Sequence, residues 1–407
     1  MRGPVHDGII PPLATVPGSN DVRVCSVCIL PDTVPGVTFD AEGVCSVCRA
    51  AGQSAGGPAA APNQSPAADE GERRLQQAFV RRGRRDRYDC LCLYSGGKDS
   101  TYMLYTLAHR LGLRVLALTL DNWFISPQTH TNIRTTIQRL DTVDHILFKP
   151  AWSVVQKSMQ AGFGFQPGTR LGDKAYVVGH ACLSCFGLIT AYAGKIAMEK
   201  GIRNIVAGTT PGQMHQKSAR NLADRYRSAA EAFRGLTLPL MRDLASRDDE
   251  LRRTFRIALL DGVRAARLNL VPFYDHVRYD EARVLEVVTR ELGWVRPRDT
   301  DSCSTNCQLN ALGVYVHRKR YGVSPYVFPL AHDVRAGLMT RDDALRAVHG
   351  SLHAGVVVRV AEQLGLAAEL GPELRDRPAA AQEPVPDQDA EAAATAPAAR
   401  SMPPGRR

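Results

Sequence analysis

The sequence predicts an α/β fold, a Rossmann-like parallel sheet with helices on both faces, preceded by a small zinc ribbon. Three observations carry this. Short apolar runs alternate with amphipathic stretches through the middle of the chain, the pattern of a parallel sheet covered on both sides. The first of those runs leads directly into YSGGKDSTYM (residues 94–103), a glycine-rich turn that opens a helix. Ahead of both lies a C-x2-C-x16-C-x2-C array, Cys25, Cys28, Cys45 and Cys48, whose two pairs suit one tetrahedral Zn²⁺ held by four thiolates.

In chain order, residues 1–20 carry Pro and Gly without periodicity and read as a flexible arm, and residues 21–50 form the ribbon. Residues 51–70 are a small-residue, Pro-containing linker with nothing to bury. Residues 71–295 form the sheet domain. In it, YDCLCLY (88–94), RVLALTL (114–120), DHILFK (144–149) and NIVAG (204–208) are strands, and 99–110, 130–140, 184–200 and 216–233 are helical. Cys90 and Cys92 share one face of the first strand and read as buried small hydrophobes. Residues 296–371 are a Cys-containing extension in which YGVSPYVFPLAHDVRAGLMTRDDAL reads as loop then helix, capped by Thr340. Residues 372–407 repeat the linker composition and read as a disordered tail.

Composition narrows the function classes. A chain of 407 residues that is 44% hydrophobic buries a sizeable core. It has no apolar run of about 18 residues, and its start lacks a signal peptide's charged-then-apolar order, so a cytoplasmic location without a membrane partner is expected. The net charge of +10 admits a nucleic-acid partner, but the densest basic run, Arg73 to Arg87, reads better as a solvated helix face than as a phosphate-facing strip. Ten cysteines in such a chain point to metal or catalytic roles rather than disulfides.

The turn at 94–103 sits at the carboxyl end of a strand, where open parallel sheets bind ligands. Gly96 and Gly97 let successive amides turn inward as a nest for anionic oxygens, and the following helix N-terminus adds positive potential. Lys98 can neutralise a phosphate, Ser95 and Ser100 can donate hydrogen bonds, and Asp99 can hold Mg²⁺. The spacing fits neither a Walker A loop nor G-x-G-x-x-G. A strand followed at once by S-G-G-x-D-S resembles the PP-loop of the N-type ATP pyrophosphatases, the adenine nucleotide alpha hydrolase-like fold. That resemblance implies ATP cleaved between its α and β phosphates, pyrophosphate in this loop, and AMP placed on a substrate oxygen. It implies nucleotide contacts at the second strand end, Asp121, and after the fourth strand, Gly208.

Two further resemblances bear on the nucleophile. The ribbon wording with YDCLCLYSGGKDSTY, LDNWFISPQTHTNI and VDHILFKP, roughly residues 24–190, resembles the N-acetyl sugar amidotransferase family, which implies ammonia from a separate glutaminase subunit. The sequence HACLSCFGLITAYAGKIAMEKGIRNIVAGTT places Cys182 and Cys185 on one face at a helix start, where the helix dipole is expected to lower their thiol pKa. C-x-x-C, a helix, and a strand ending in Gly resembles the tRNA 2-thiocytidine synthetase branch. There the pair and a distant cysteine bind a 4Fe–4S cluster beside ATP. Here Cys303 or Cys307, in the polar stretch RDTDSCSTNCQLN, supplies that third thiolate, or both complete a second zinc site with Cys182 and Cys185. The leading expectation is an ATP- and Mg²⁺-dependent enzyme that installs sulfur. Lys98, Asp99, Cys182, Cys185 and Cys307 are its candidate catalytic residues, its acceptor is a small molecule, a carrier-bound group or a tRNA, and it is expected to work with a sulfur donor and to form a homodimer. The alternative installs nitrogen and uses the cysteines as structural zinc ligands.

Overall fold

The computed structural model describes residues 9–10, 22–52, 71–73, 75–76, 79, 87–214, 238–260 and 268–375. The expected helix at 216–233 and the proposed arm, linker and tail lie wholly or mostly outside them. The strands are β1 Cys90–Leu93, β2 Val115–Leu120, β3 Asp144–Phe148, β4 Asn204–Ala207 and β5 Asn269–Pro272. They form one parallel sheet in the order β3-β2-β1-β4-β5. β1 and β2 are buried almost throughout, which is why their sequences run apolar without alternation. The first four strands fall where the sequence predicts, and β5 lies outside the four strands assigned from it.

Because the order reverses direction at β1, the chain leaves the carboxyl ends of β1 and β4 on opposite sides of one crevice. α1, Lys98–Tyr105, starts at once from β1 and continues through a widened turn at Thr106–Arg110. α2, Pro127–Arg139, begins earlier than expected because Pro127 is pre-set for the first helical position. After α3, Trp152–Phe163, and α4, Arg170–Val178, comes α5, His180–Glu199. Among the described helices α5 alone has the length and apolarity to cross a membrane, and half of that stretch is buried inside the protein. Its Ala193 and Ala197 pack on Leu91, Leu116 and Leu118 of the sheet, so its apolarity is accounted for by core burial.

The extension from 296 is helical: α9 Leu309–Tyr321, α10 Val327–Arg335, α11 Arg341–Val348 and α12 Ala354–Leu364. They follow α6 Leu238–Arg247, α7 Asp249–Leu260 and α8 Glu281–Leu292. Thr340 caps α11 as predicted, accepting from the Asp343 N–H at 3.1 Å. The stretch 327–335, expected as loop, is a helix because Val327, Phe328 and Ala331 bury against the four-cysteine module. In that module Cys25 Sγ lies 3.9 Å from Cys48 Sγ, and Cys28 Sγ lies 3.8 Å from Cys45 Sγ. Thiolates at 2.3 Å around one tetrahedral ion stand about 3.8 Å apart, so the four sulfurs have the spacing of a zinc site. The guanidinium of Arg341 donates to the carbonyls of Cys25 and Cys28 at 3.0–3.1 Å, tying this module to α11.

Candidate functional site

The turn after β1 is built around two glycines in different conformations. Gly96 has φ of +76°, and a Cβ there would stand 2.6 Å from Ile133 Cγ1 of α2. Gly97 is extended and caps α1. The Gly96 carbonyl accepts from the indole N–H of buried Trp294 at 3.0 Å, which fixes the peptide plane. Ser100 Oγ donates back to the Gly97 carbonyl and receives the Ser95 N–H, both at 3.1 Å, and lies 3.0 Å from Ser95 Oγ. The loop is therefore pre-shaped, with its hydroxyls and the start of α1 turned to one side.

That side is a cavity of about 330 Å³ at the β1/β4 crevice, lined by Ser95, Gly97, Asp99 and Ser100 together with Gly208 and Thr209. Cys182, Cys185, Cys303 and Cys307 line it as well. The loop and all four cysteines of the two distant groups thus face one space. A short antiparallel bridge between Ile125 and Cys307 aligns the cysteine loop with the segment after β2. Thr305, between the two cysteines of that loop, receives the Lys98 N–H on its hydroxyl at 3.3 Å. This docking was not anticipated; the run of hydroxyls in CSTNC was its one signal.

Three placements refine the expected roles. The Lys98 ammonium is buried and turned into an adjoining cavity of about 140 Å³, 2.8 Å from both Asp99 Oδ1 and the Tyr279 hydroxyl and 3.3 Å from Glu281 Oε1. A phosphate would draw it from these partners. Asp121 does not line the main cavity; its carboxylate takes the Trp123 N–H at 2.8 Å and pairs with Lys149 at 3.1 Å, while Leu120 and Asn122 beside it form the wall. Gly208 is at the wall.

The thiols depart from expectation in their ionisation. Cys182 and Cys185 open α5, yet burial raises both thiol pKa values, overturning the lowering expected from the helix dipole. Desolvation of a thiolate outweighs the dipole's partial charge. Burial likewise pushes Cys307 up to about 12 and Cys303 up to about 12. Cys185 and Cys307 are gathered by one amide, Asn122 Nδ2, at 3.7 and 3.4 Å, and Cys182 donates to Asn310 Oδ1 at 3.5 Å. Cys303 instead turns toward the Ala347 carbonyl at 3.5 Å. Among the described residues, the Cys25, Cys28, Cys45 and Cys48 quartet is the one group of metal-ligand side chains with all ligand atoms within 4.8 Å. Cys182, Cys185, Cys303 and Cys307 are not drawn around a single ion, so the second four-thiolate zinc site has no counterpart in this geometry.

No family model matches the chain, and no curated protein matches it. Two solved structures bear a distant similarity to it. The U34-tRNA thiolase NcsA from Methanococcus maripaludis, solved with its [4Fe-4S] cluster, aligns with a TM-score of 0.32 at 11% identity, covering 73% of this chain and 79% of that one. The NMN synthetase from Francisella tularensis aligns with a TM-score of 0.27 at 14% identity, covering 43% of this chain and 71% of that one. At these scores the reading of the site rests on the chain's own residues.

Proposed function

We propose that the protein is an ATP-dependent PP-loop enzyme that adenylates a carbonyl or carboxyl oxygen of its acceptor, releases pyrophosphate, and replaces that oxygen with sulfur. One observation carries the reading. The phosphate-type loop and the thiols of Cys182, Cys185 and Cys307 line the same cavity.

Within it each residue has a task its position supports. Ser95, Gly97 and Ser100 line the space where phosphate oxygens would sit; Ser95 would offer its hydroxyl, and the Ser95 and Lys98 N–H groups, bonded to the Ser100 and Thr305 hydroxyls, would exchange those partners for phosphate. Asp99, at the junction of the two cavities, is placed for Mg²⁺ carried by the nucleotide. Lys98 would leave Asp99 and Glu281 for pyrophosphate as charge develops on the leaving group. Gly208, whose missing Cβ lets the end of β4 approach Ser100 and Met103 of α1, would present its backbone to the nucleotide. Adenylation turns the acceptor oxygen into part of AMP, a good leaving group, and the incoming nucleophile displaces it.

The three thiols fit an iron–sulfur centre better than a zinc ion. They line one cavity without all lying within 4.8 Å of one another, and a cubane cluster holds its thiolates on separate irons. Cys182, Cys185 and Cys307 would be its ligands, and such a centre, when bound, supplies an open iron that carries sulfur. The nitrogen-installing alternative keeps the same loop chemistry and is favoured by the sequence wording of residues 24–190.

Incubation with ATP, Mg²⁺ and a pool of candidate acceptors tests the adenylation step. AMP and pyrophosphate in equal amounts from the wild-type chain, and neither from Lys98→Ala, is the expected result. Release of ADP and phosphate, or unchanged pyrophosphate release from Lys98→Ala, would overturn the assignment.

A further inference from the structure

We propose that Asn122 is the positioning residue of the thiol group, holding Cys185 and Cys307 toward the nucleotide cavity. The inference rests on the reading that these thiols bind the sulfur-carrying centre, and it begins with the backbone after β2. Asp121 Oδ1 accepts the Trp123 N–H at 2.8 Å, and Asn122 Oδ1 accepts the Phe124 N–H at 3.0 Å, two Asx turns in succession. Between them Trp123 takes φ of +72°, the left-handed region that bulky residues avoid. Its indole N–H donates to the Pro150 carbonyl at 2.9 Å, and Lys149 Nζ lies 4.1 Å from the ring centroid, anchoring it on the outside. The kink sends Trp123 outward and Asn122 inward, where Asn122 is 4% exposed.

The orientation of the Asn122 amide follows from its partners. A backbone N–H can only donate, so the atom facing Phe124 is the oxygen, and the NH₂ faces the two sulfurs. Asn310 is fixed in the opposite sense. Its NH₂ donates to the Asp301 carboxylate at 2.6 Å and its oxygen faces Cys182 and the Tyr326 hydroxyl. Cys185 and Cys307 therefore share a donor, whereas Cys182 meets an acceptor. Cys185 belongs to α5 and Cys307 to the loop before α9. A single side chain from the end of β2 bridges two segments far apart in sequence. Groups that orient metal ligands from behind act in this way, fixing direction and tuning the bound centre.

The test uses substitutions that keep the turn and remove the amide donor. In Asn122→Asp and Asn122→Ser a side-chain oxygen can still cap Phe124, but the carboxylate has no donor and the shorter serine side chain offers one O–H in place of the NH₂ that serves both sulfurs. In the metal-free full chain, bridging of Cys185 to Cys307 by the bifunctional alkylator dibromobimane is mapped by mass spectrometry. Iron retention is followed after anaerobic reconstitution with ferrous iron and sulfide. The expected result is a several-fold lower bridging yield and several-fold faster iron loss in both variants, with each chain still cooperatively folded in the absence of urea. A side chain that served only the turn would leave both readouts at wild-type values, and that outcome overturns the proposal. Should the wild type take up no iron while the bridging difference persists, the cluster reading falls and the positioning role stands. If Asn122→Asp fails to fold, the neutral Asn122→Ser decides.

Discussion

Replacing Gly96 by alanine is the sharpest probe of how the loop is built. A non-glycine residue at φ of +76° is in the left-handed region, which costs roughly 1–2 kcal/mol. The new methyl would stand 2.6 Å from Ile133 Cγ1, 2.8 Å from Thr129 Cγ2 and 2.9 Å from Ile133 Cδ1. Thr129 and Ile133 are buried side chains of α2, so they cannot swing into solvent, and overpacking of this kind costs about 1–3 kcal/mol. Together the penalties reach roughly 2–5 kcal/mol, a large share of the about 5–15 kcal/mol that stabilises a typical domain. In urea unfolding followed by circular dichroism, Gly96→Ala should therefore unfold at a clearly lower midpoint with an unchanged slope. A midpoint equal to the wild type's would refute the idea that the β1 turn depends on a left-handed glycine pressed against α2.

The neighbouring Gly97→Ala should behave oppositely. Its extended backbone accepts alanine, so stability changes by less than about 1 kcal/mol, while the methyl enters the cavity 3.0 Å from Thr305 Oγ1 and weakens ATP binding by about tenfold or more in calorimetry; unaltered affinity would place the nucleotide elsewhere. Glu281→Gln removes one of the two carboxylates holding Lys98, and because Glu281 is 40% exposed at its side chain the pair is partly screened, so nucleotide affinity should rise by no more than about fivefold. Weaker binding in that variant would mean that Glu281 positions Lys98 rather than competing for it. Arg341→Ala loses the bonds to the Cys25 and Cys28 carbonyls and should speed zinc release to a colorimetric chelator, with a stability loss of about 1.5–3 kcal/mol. Release at the wild-type rate would show that α11 adds nothing to the module's hold on its ion.

The sheet was legible because buried parallel strands are continuous apolar runs bounded by turn residues, and CLCL, VLALTL and NIVA are such runs. β5, Asn269–Pro272, escaped because it is four residues long, partly exposed and ends in proline. The four-cysteine module was legible from the spacing of its cysteines, and the loop from its glycines and hydroxyls at the end of a strand together with a family resemblance. What spacing could not give was the direction of side chains. Lys98 follows two glycines as a phosphate ligand should, yet its ammonium rests among Asp99, Tyr279 and Glu281, the last two about 180 residues away. The thiols at the start of α5 were misjudged because the sequence shows the helix N-terminus but not the burial of Cys182 and Cys185 against the extension. Asn122, Asn310 and Thr305 are ordinary polar residues in sequence, and their contacts to the thiols and the loop exist only once β2, α5 and the cysteine loop are brought together.

The proposed function requires that the loop's cavity carry a sulfur-bearing centre on Cys182, Cys185 and Cys307, separate from any zinc ion that the four-cysteine module would hold. The iron, acid-labile sulfide and zinc content of protein purified without oxygen tests it most directly. About three to four irons with matching sulfide and about one zinc per chain is the predicted result. About two zincs and no iron would contradict it and favour installation of nitrogen.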